Sequence, residues 1–68
     1  MVDTALYEKV WTKRRIKALR KKHRISRRVL GLLTGVTGNA VYQWERGLRQ
    51  PPWSTHILLS YIERDLNK

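Results

Sequence analysis

A chain of 68 residues has room for one domain with one hydrophobic core, and a domain this small is close to the lower size limit for folding alone. It carries 15 Lys and Arg against 5 Asp and Glu, a net charge of +10, and such a basic balance favours a polyanionic partner. The sequence has no cysteine, which excludes disulfides and thiolate metal sites, and no apolar run approaching the roughly 20 residues that span a bilayer.

Residues 1–11 give only a weak helical pattern. Asp3 or Thr4 could cap a short helix, but the apolar residues that follow form an incomplete stripe. We therefore expect an N-terminal arm or short helix over residues 1–11, followed by the main domain over residues 12–68.

The first core helix is predicted from Thr12, a candidate N-cap, to about Lys22. Ile16 and Leu19 recur at helical spacing, and cations fill most of the remaining positions. A basic block free of acids runs on to residue 28 and contains Lys13, Arg14, Arg15, Lys17, Arg20, Lys21, Lys22, Arg24, Arg27 and Arg28. Such a block can be a solvated face, a phosphate-binding surface, or a basic amphipathic helix for a membrane or calmodulin. The last of these leaves the following segment unexplained.

Two short helices that meet at a glycine are predicted next. Ser26 is a candidate cap for a helix through about Thr34, and its expected inward positions are Val29, Leu30 and Leu33. Gly35 ends that helix, because glycine takes positive φ without a steric penalty.

The second helix of this pair is predicted from Gly38 to about Glu45, with Thr37 as its cap. Val41 and Trp44 form its inward stripe, and Gly47 ends it. One helix that braces a second across a glycine turn is the layout of a helix-turn-helix, whose second helix enters the major groove of DNA.

The chain continues through a loop and one further helix. Pro51 and Pro52 fix the loop from Leu48 to Trp53, and Ser54 is the candidate cap of a last helix that carries Ile57, Leu58, Tyr61 and Ile62. We therefore expect an all-α fold, a compact bundle of four to five short helices that contains a helix-turn-helix.

The stretch from Ile16 to about Glu63 resembles the Cro/C1-type helix-turn-helix domain of bacterial and phage repressors and antitoxins. The resemblance is carried by Lys17-Ala18-Leu19-Arg20, Leu30-Gly31, Gly35-Val36-Thr37, Trp44-Glu45-Arg46-Gly47 and Pro51. It implies a four- or five-helix domain that binds palindromic operators as a dimer, of the short autoregulator type found in phages, antitoxins and anti-CRISPR-associated regulators. The chain departs from the family pattern at Arg27, Gly31 and Thr34, where the usual residues are Gln, Ala, and Leu or Val.

Base readout is assigned to the outward side of the second motif helix. Opposite Val41 and Trp44 we expect Asn39, Ala40, Tyr42 and Gln43 to face the major groove. Asn or Gln can pair in bidentate fashion with adenine, and an Ala methyl can touch a thymine methyl. Outside such a motif, these would be ordinary solvent-facing residues.

Phosphate contacts are assigned to residues on either side of the readout surface. The resemblance implies this role for Arg27, Arg28, Arg46 and Arg49, and Thr37 joins them because helix N-termini attract anions. The resemblance also implies that Glu45 pairs with Arg20 as a structural salt bridge. Trp44 is expected in the core rather than stacked on a base.

A dimer is expected because a recognition helix this short reads about four base pairs. The chain end offers more apolar surface than one helix face can bury, and the expected interface residues are Trp53, Leu58, Leu59, Tyr61, Ile62 and Leu66. Leu6, Tyr7 and Trp11 offer a second apolar patch at the other end.

The function expected is that of a sequence-specific double-stranded DNA-binding regulator, a homodimeric repressor of a palindromic operator. An antitoxin or adaptor that binds a partner protein, such as a toxin, is the alternative. No nucleophile has a neighbouring base, and no glycine-rich phosphate loop is present, so we do not expect an enzyme. His23 and His56 lack ligand spacing, so we expect no metal and no cofactor. The start of the chain does not resemble a signal peptide, and a cytoplasmic protein that does not enter a membrane is expected.

Overall fold

The computed structural model of the chain describes residues 10–68, which form four helices and contain no strand. These are α1 (Lys13–Lys22), α2 (Arg27–Thr34), α3 (Gly38–Arg46) and α4 (Trp53–Leu66). The fold class is all-α, as predicted. The expectations for Asp3, Thr4, Leu6 and Tyr7 lie outside the described residues.

Hydroxyl side chains start the first three helices. The Oγ atoms of Thr12, Ser26 and Thr37 accept hydrogen bonds from the backbone N–H three residues later, at 3.2, 3.1 and 3.2 Å. Each cap satisfies one of the donors that a helix N-terminus leaves unpaired. Gly35 and Gly47 end α2 and α3 at φ +80° and +73°, so the predicted caps and glycine ends of the motif are confirmed.

The start of α4 differs from the prediction. The helix begins at Trp53, and Pro52 rather than Ser54 occupies the N-cap position without a side-chain hydrogen bond. The Pro52 carbonyl accepts from the N–H of Thr55 at 2.9 Å, so the first turn forms one residue before the serine. Proline suits this place because it has no N–H and its φ is fixed.

The core joins all four helices to the segment before α1. Its buried apolar residues are Trp11, Ile16, Leu19, Leu30, Val41, Trp44 and Leu59. Val29 and Leu33, predicted to face inward, are instead exposed. The cause is Gly31, since a Cβ there would lie 2.6 Å from the Val36 carbonyl oxygen. The turn presses against the Leu30–Gly31 side of α2 and leaves the neighbouring apolar residues at the surface.

Trp11 belongs to the core, which corrects its expected place in an arm with exposed apolar surface. Its backbone N–H donates to Nδ1 of His56 and its indole N–H donates to Oγ of Ser60, both at 3.0 Å. Because Nδ1 accepts, the ring proton of the buried His56 lies on Nε2. The Arg15 guanidinium covers the Trp11 ring at 3.8 Å and bonds to Glu63 at 3.0 Å. Contacts with α4 thus hold the chain in place before α1.

Candidate nucleic-acid interface

The helix α3 presents one face to the core and one to solvent. Val41, Trp44 and Glu45 are buried, which confirms Trp44 as a core residue. At about 100° per residue, the middle of the opposite face falls on Asn39, Gln43 and Arg46. This outward face is a convex polar ridge, the shape that fits a DNA major groove.

The predicted readout residues fall on this ridge or beside it. Asn39 is exposed and Gln43 is half-buried along the middle of the ridge. Ala40 and Tyr42 flank it on opposite sides. The ring of Tyr42 lies 5.3 Å from the guanidinium carbon of Arg27, a cation–π contact that restrains both side chains.

The N-termini of the two motif helices lie next to each other. A Cβ on Gly38 would come within 3.2 Å of the backbone nitrogen of Arg28, so the first turns of α2 and α3 are in close approach. Both ends carry partial positive charge from their unpaired N–H groups. Arg28 and Thr37 are exposed at this junction, where an anion would meet both helix ends.

The other predicted phosphate contacts lie beyond the far end of α3 or beside Glu45. Arg46 shares the outward ridge with Gln43, one turn further along, and Arg49 is exposed in the loop that follows. Arg27 differs from the free cation that the sequence suggests, because its Nε lies 3.4 Å from Oε1 of Glu45. Its side chain is still 43 % exposed, so part of the guanidinium faces solvent.

Glu45 holds the interface together from behind. Its carboxylate accepts two hydrogen bonds from Arg20, at 2.7 Å from Nε and 3.0 Å from Nη2, which confirms the predicted pair. The Glu45 side chain is 2 % exposed and that of Arg20 is 14 % exposed. One carboxylate therefore fixes α1, α2 and α3 relative to one another.

The pKa values of this cluster follow from its geometry. Burial raises the pKa of Glu45, but the hydrogen bond and charge of Arg20, supported by Arg27, outweigh it, and the net pKa is lowered. The hydrogen bond to Glu45 raises the pKa of Arg20, with burial opposing it. The carboxylate is therefore ionised wherever the protein would meet DNA near neutral pH.

Lys13 packs against the end of α3, a contact that the sequence does not single out from the basic block. Its side chain crosses the C-terminal end of α3, where Cδ lies 3.2 Å from the position of a Cβ on Gly47. The Nζ of Lys13 lies 3.6 Å from the same position, so its charge is held near the C-terminal end of α3. The spacing of cations along α1 cannot reveal this, because the contact depends on how α1 packs against α3.

The predicted dimer residues divide into two groups. Leu59 is fully buried in the core of one chain, and Ile62 and Leu66 pack partly against that core. Leu59 is therefore corrected from an interface to a core residue. Trp53, Leu58 and Tyr61 are exposed and form the apolar part of the outer face of α4.

Two further properties of the described residues bear on function. Within residues 10–68, no three His, Asp or Glu side chains come together as metal ligands. None of the four described helices is long and apolar enough to cross a membrane.

Comparison with known proteins gives one match. A family model described as helix-turn-helix matches residues 16–52, more than half of the chain. The matched range covers most of α1 and all of α2 and α3, and it ends in the loop before α4. No curated protein and no solved structure matches.

Proposed function

The chain belongs to the Cro/C1-type helix-turn-helix family of DNA-binding transcription regulators, and from this premise we propose that it is a homodimeric repressor of a palindromic operator. The family is one of regulators rather than enzymes. Autorepression is the simplest form of the proposal, since the described residues offer a DNA-binding motif and no other site that the proposal needs. With genomic DNA as its partner, it would act in the cytoplasm.

The observation that carries the proposal is the outward ridge of α3. Asn39 and Gln43 stand on it one turn apart, Asn39 exposed and Gln43 half-buried. Their amides offer the donor and acceptor pair that matches adenine. We assign base readout to Asn39, Ala40, Tyr42 and Gln43.

Phosphate binding is assigned to the two ends of the ridge. Arg28 and Thr37 stand at the paired helix N-termini, with Arg27 beside them, and Arg46 and Arg49 stand at the other end. This arrangement supports a clamp on the backbone at both sides of the groove, which fixes register without reading sequence.

The dimer follows from the short length of α3, which spans nine residues. One such helix reads about four base pairs, so useful specificity needs two half-sites about one DNA turn apart. Trp53, Leu58 and Tyr61 on the outer face of α4 support an apolar contact between two copies, with the half-buried Ile62 and Leu66 at its edge.

Selection of binding sites from a pool of random duplexes tests the proposal. A palindromic consensus with half-sites one turn apart is the expected result. Affinity for the selected duplex should fall steeply with salt, because each neutralised phosphate releases counterions. A single unpaired half-site would contradict the dimer, and weak, salt-insensitive binding to every duplex would contradict the repressor.

A second candidate is an antitoxin or adaptor that binds a partner protein such as a toxin. The observation that favours it is the outer face of α2, where Val29, Leu32 and Leu33 are exposed together and Leu32 is 72 % exposed. Contiguous apolar surface of this kind marks protein interfaces. Charged substitutions on this face that leave the selected DNA site bound with unchanged affinity and stoichiometry would direct the search to a partner protein.

A further inference from the structure

Three cations on α1 form a straight stripe that the operator interface does not use. Arg14, Lys17 and Lys21 are all exposed and are spaced three and four residues apart, which places them on one side of the helix. We name them the α1 stripe. At 1.5 Å per residue it extends roughly 10 Å along the helix axis.

The α1 stripe and the outward ridge of α3 belong to two helices that pack on one core. The inner face of α1 puts Ile16 and Leu19 into the same core as Val41 and Trp44 of α3. Each helix exposes the side opposite its core residues, so the stripe and the ridge are presented to solvent by two different helices.

The charges of the α1 stripe are left uncompensated by the described chain. Arg15, Arg20 and Arg27 bond to carboxylates, but within residues 10–68 no carboxylate oxygen lies within 4.0 Å of a stripe nitrogen. Like charges at such spacing repel one another along a helix. An external polyanion would relieve that repulsion.

The chemistry of this face selects among polyanions. Helices that lie in a membrane surface insert apolar residues, but Ile16 and Leu19 are committed to the core and Ala18 is the apolar residue beside the stripe. The burial of Ile16 and Leu19 also argues against a basic amphipathic helix for a membrane or calmodulin, one of the interpretations of the basic block. Among residues 10–68, this face has no aromatic platform for unpaired bases and no large apolar anchor of the kind that dominates protein interfaces. A duplex backbone, which is bound through charge alone, remains.

We propose that the α1 stripe is a second phosphate-binding surface, which holds a second DNA duplex without reading its sequence while α3 occupies the operator. The operator part of this statement rests on the proposed function. The protein would then bridge two DNA segments, and a repressor bound at its site could draw in neighbouring or distant DNA.

A two-duplex capture assay tests the proposal. A selected-site duplex is immobilised, the protein is bound to it, and retention of a labelled duplex of random sequence is measured across salt. The variant R14Q/K17Q/K21Q should retain the second duplex roughly tenfold less, and the salt slope of its retention should fall by about 2 to 3, near 0.9 for each lost contact. This variant and the control variant below replace only exposed side chains, and thermal melts that match the wild type would verify that both fold.

A matched control variant distinguishes an effect of the stripe residues from a general effect of lower net charge. The variant K22Q/R64Q/K68Q also removes three positive charges, but at the end of the molecule where Lys22 bonds to Asn67 and Lys68 lies near Asp65. It should retain the second duplex, and both variants should lower affinity for the immobilised site by the same small factor.

Several results would overturn the proposal. Retention that survives in the stripe variant would place the second duplex on the α3 ridge of another copy. A stripe variant that loses the immobilised site far more than the control would assign the stripe to the operator interface. Stronger wild-type binding to anionic phospholipid vesicles than to the second duplex would assign it to a membrane. If wild-type protein binds the immobilised site but captures nothing, this inference fails alone; if it does not bind the site, the proposed function fails first.

Discussion

Replacing Glu45 with Gln tests whether one buried carboxylate holds the three-helix motif together. Gln keeps the shape of Glu but loses its charge and turns one acceptor oxygen into a donor, which would face a guanidinium N–H. The change removes charged contacts at 2.7, 3.0 and 3.4 Å and leaves Arg20 and Arg27 without their anion.

The size of the expected loss follows from burial. Removing one partner of a buried ion pair costs about 3 to 5 kcal/mol. Arg20 is 14 % exposed and Arg27 is 43 % exposed, so water partly solvates their unpaired charges. We therefore expect a loss at the lower end of this range, about 3 kcal/mol. A domain of this length has a total stability on the order of 3 to 10 kcal/mol, so the variant should be marginal at room temperature.

Urea unfolding at neutral pH measures this loss, and Glu63→Gln is the matched control. Glu63 pairs with a single arginine, Arg15, and both side chains are 29 % exposed. An exposed pair of this kind contributes about 0 to 1 kcal/mol. If E45Q lost no more stability than E63Q, the claim that Glu45 organises the motif would be wrong.

The pH dependence gives a second readout. The pKa of Glu45 is lower in the folded chain than its ordinary value of 4.5, so its contribution is fully present above that value and is lost as the pH falls through the folded-state pKa. The stability difference between wild type and E45Q should therefore be constant near neutral pH and shrink in acid below about pH 4.5. A difference that stayed constant down to pH 3 would show that the charge of Glu45 does not stabilise the fold.

The remaining predictions concern packing, readout and the dimer. Gly31→Ala should destabilise by about 1 kcal/mol in thermal melts, because the added Cβ would lie 2.6 Å from the Val36 carbonyl oxygen and this overpacking outweighs the helix-propensity gain. Higher stability would show that the turn shifts at little cost. Gln43→Ala should lose about 1 to 3 kcal/mol of discrimination at one or two base pairs. Arg46→Ala should instead weaken binding to all duplexes alike and lower the slope of log affinity against log salt by about 1. If both variants changed specific and random binding equally, Gln43 would not read bases while Arg46 holds phosphates. Leu59→Ala should cost about 2 to 5 kcal/mol of stability, because Leu59 is a core residue. Leu58→Ala should mainly weaken association of two copies in sedimentation experiments. Unchanged association would show that Leu58 does not lie in the dimer contact.

The sequence is most informative where structure depends on neighbouring residues. The caps at Thr12, Ser26 and Thr37 and the ends at Gly35 and Gly47 were predictable, because each depends on hydrogen bonds or backbone angles within a few residues. The outward ridge of α3 was predictable for a similar reason, since Val41 and Trp44 identify its inner side.

The sequence is less informative where packing between distant segments decides. In the eight-residue α2, Leu30 is buried as predicted, but Val29 and Leu33 are not, and only the approach of the turn to the Leu30–Gly31 side decides this. Trp11 donates a hydrogen bond to Ser60, which lies 49 residues later in the sequence, and no local pattern can predict this contact. Which cations are neutralised within the fold depends on such contacts as well.

The two bonds from Trp11 to α4 have a consequence for how the domain unfolds. They place a residue from before the first helix and two from the last helix in one cooperative unit, so the segment at Trp11 cannot detach without also freeing His56 and Ser60. Trimming the chain at residue 12 would remove a core side chain along with its two hydrogen bonds. In hydrogen exchange, the Trp11 amide should be protected to the level of global opening, together with those of the Leu59 turn.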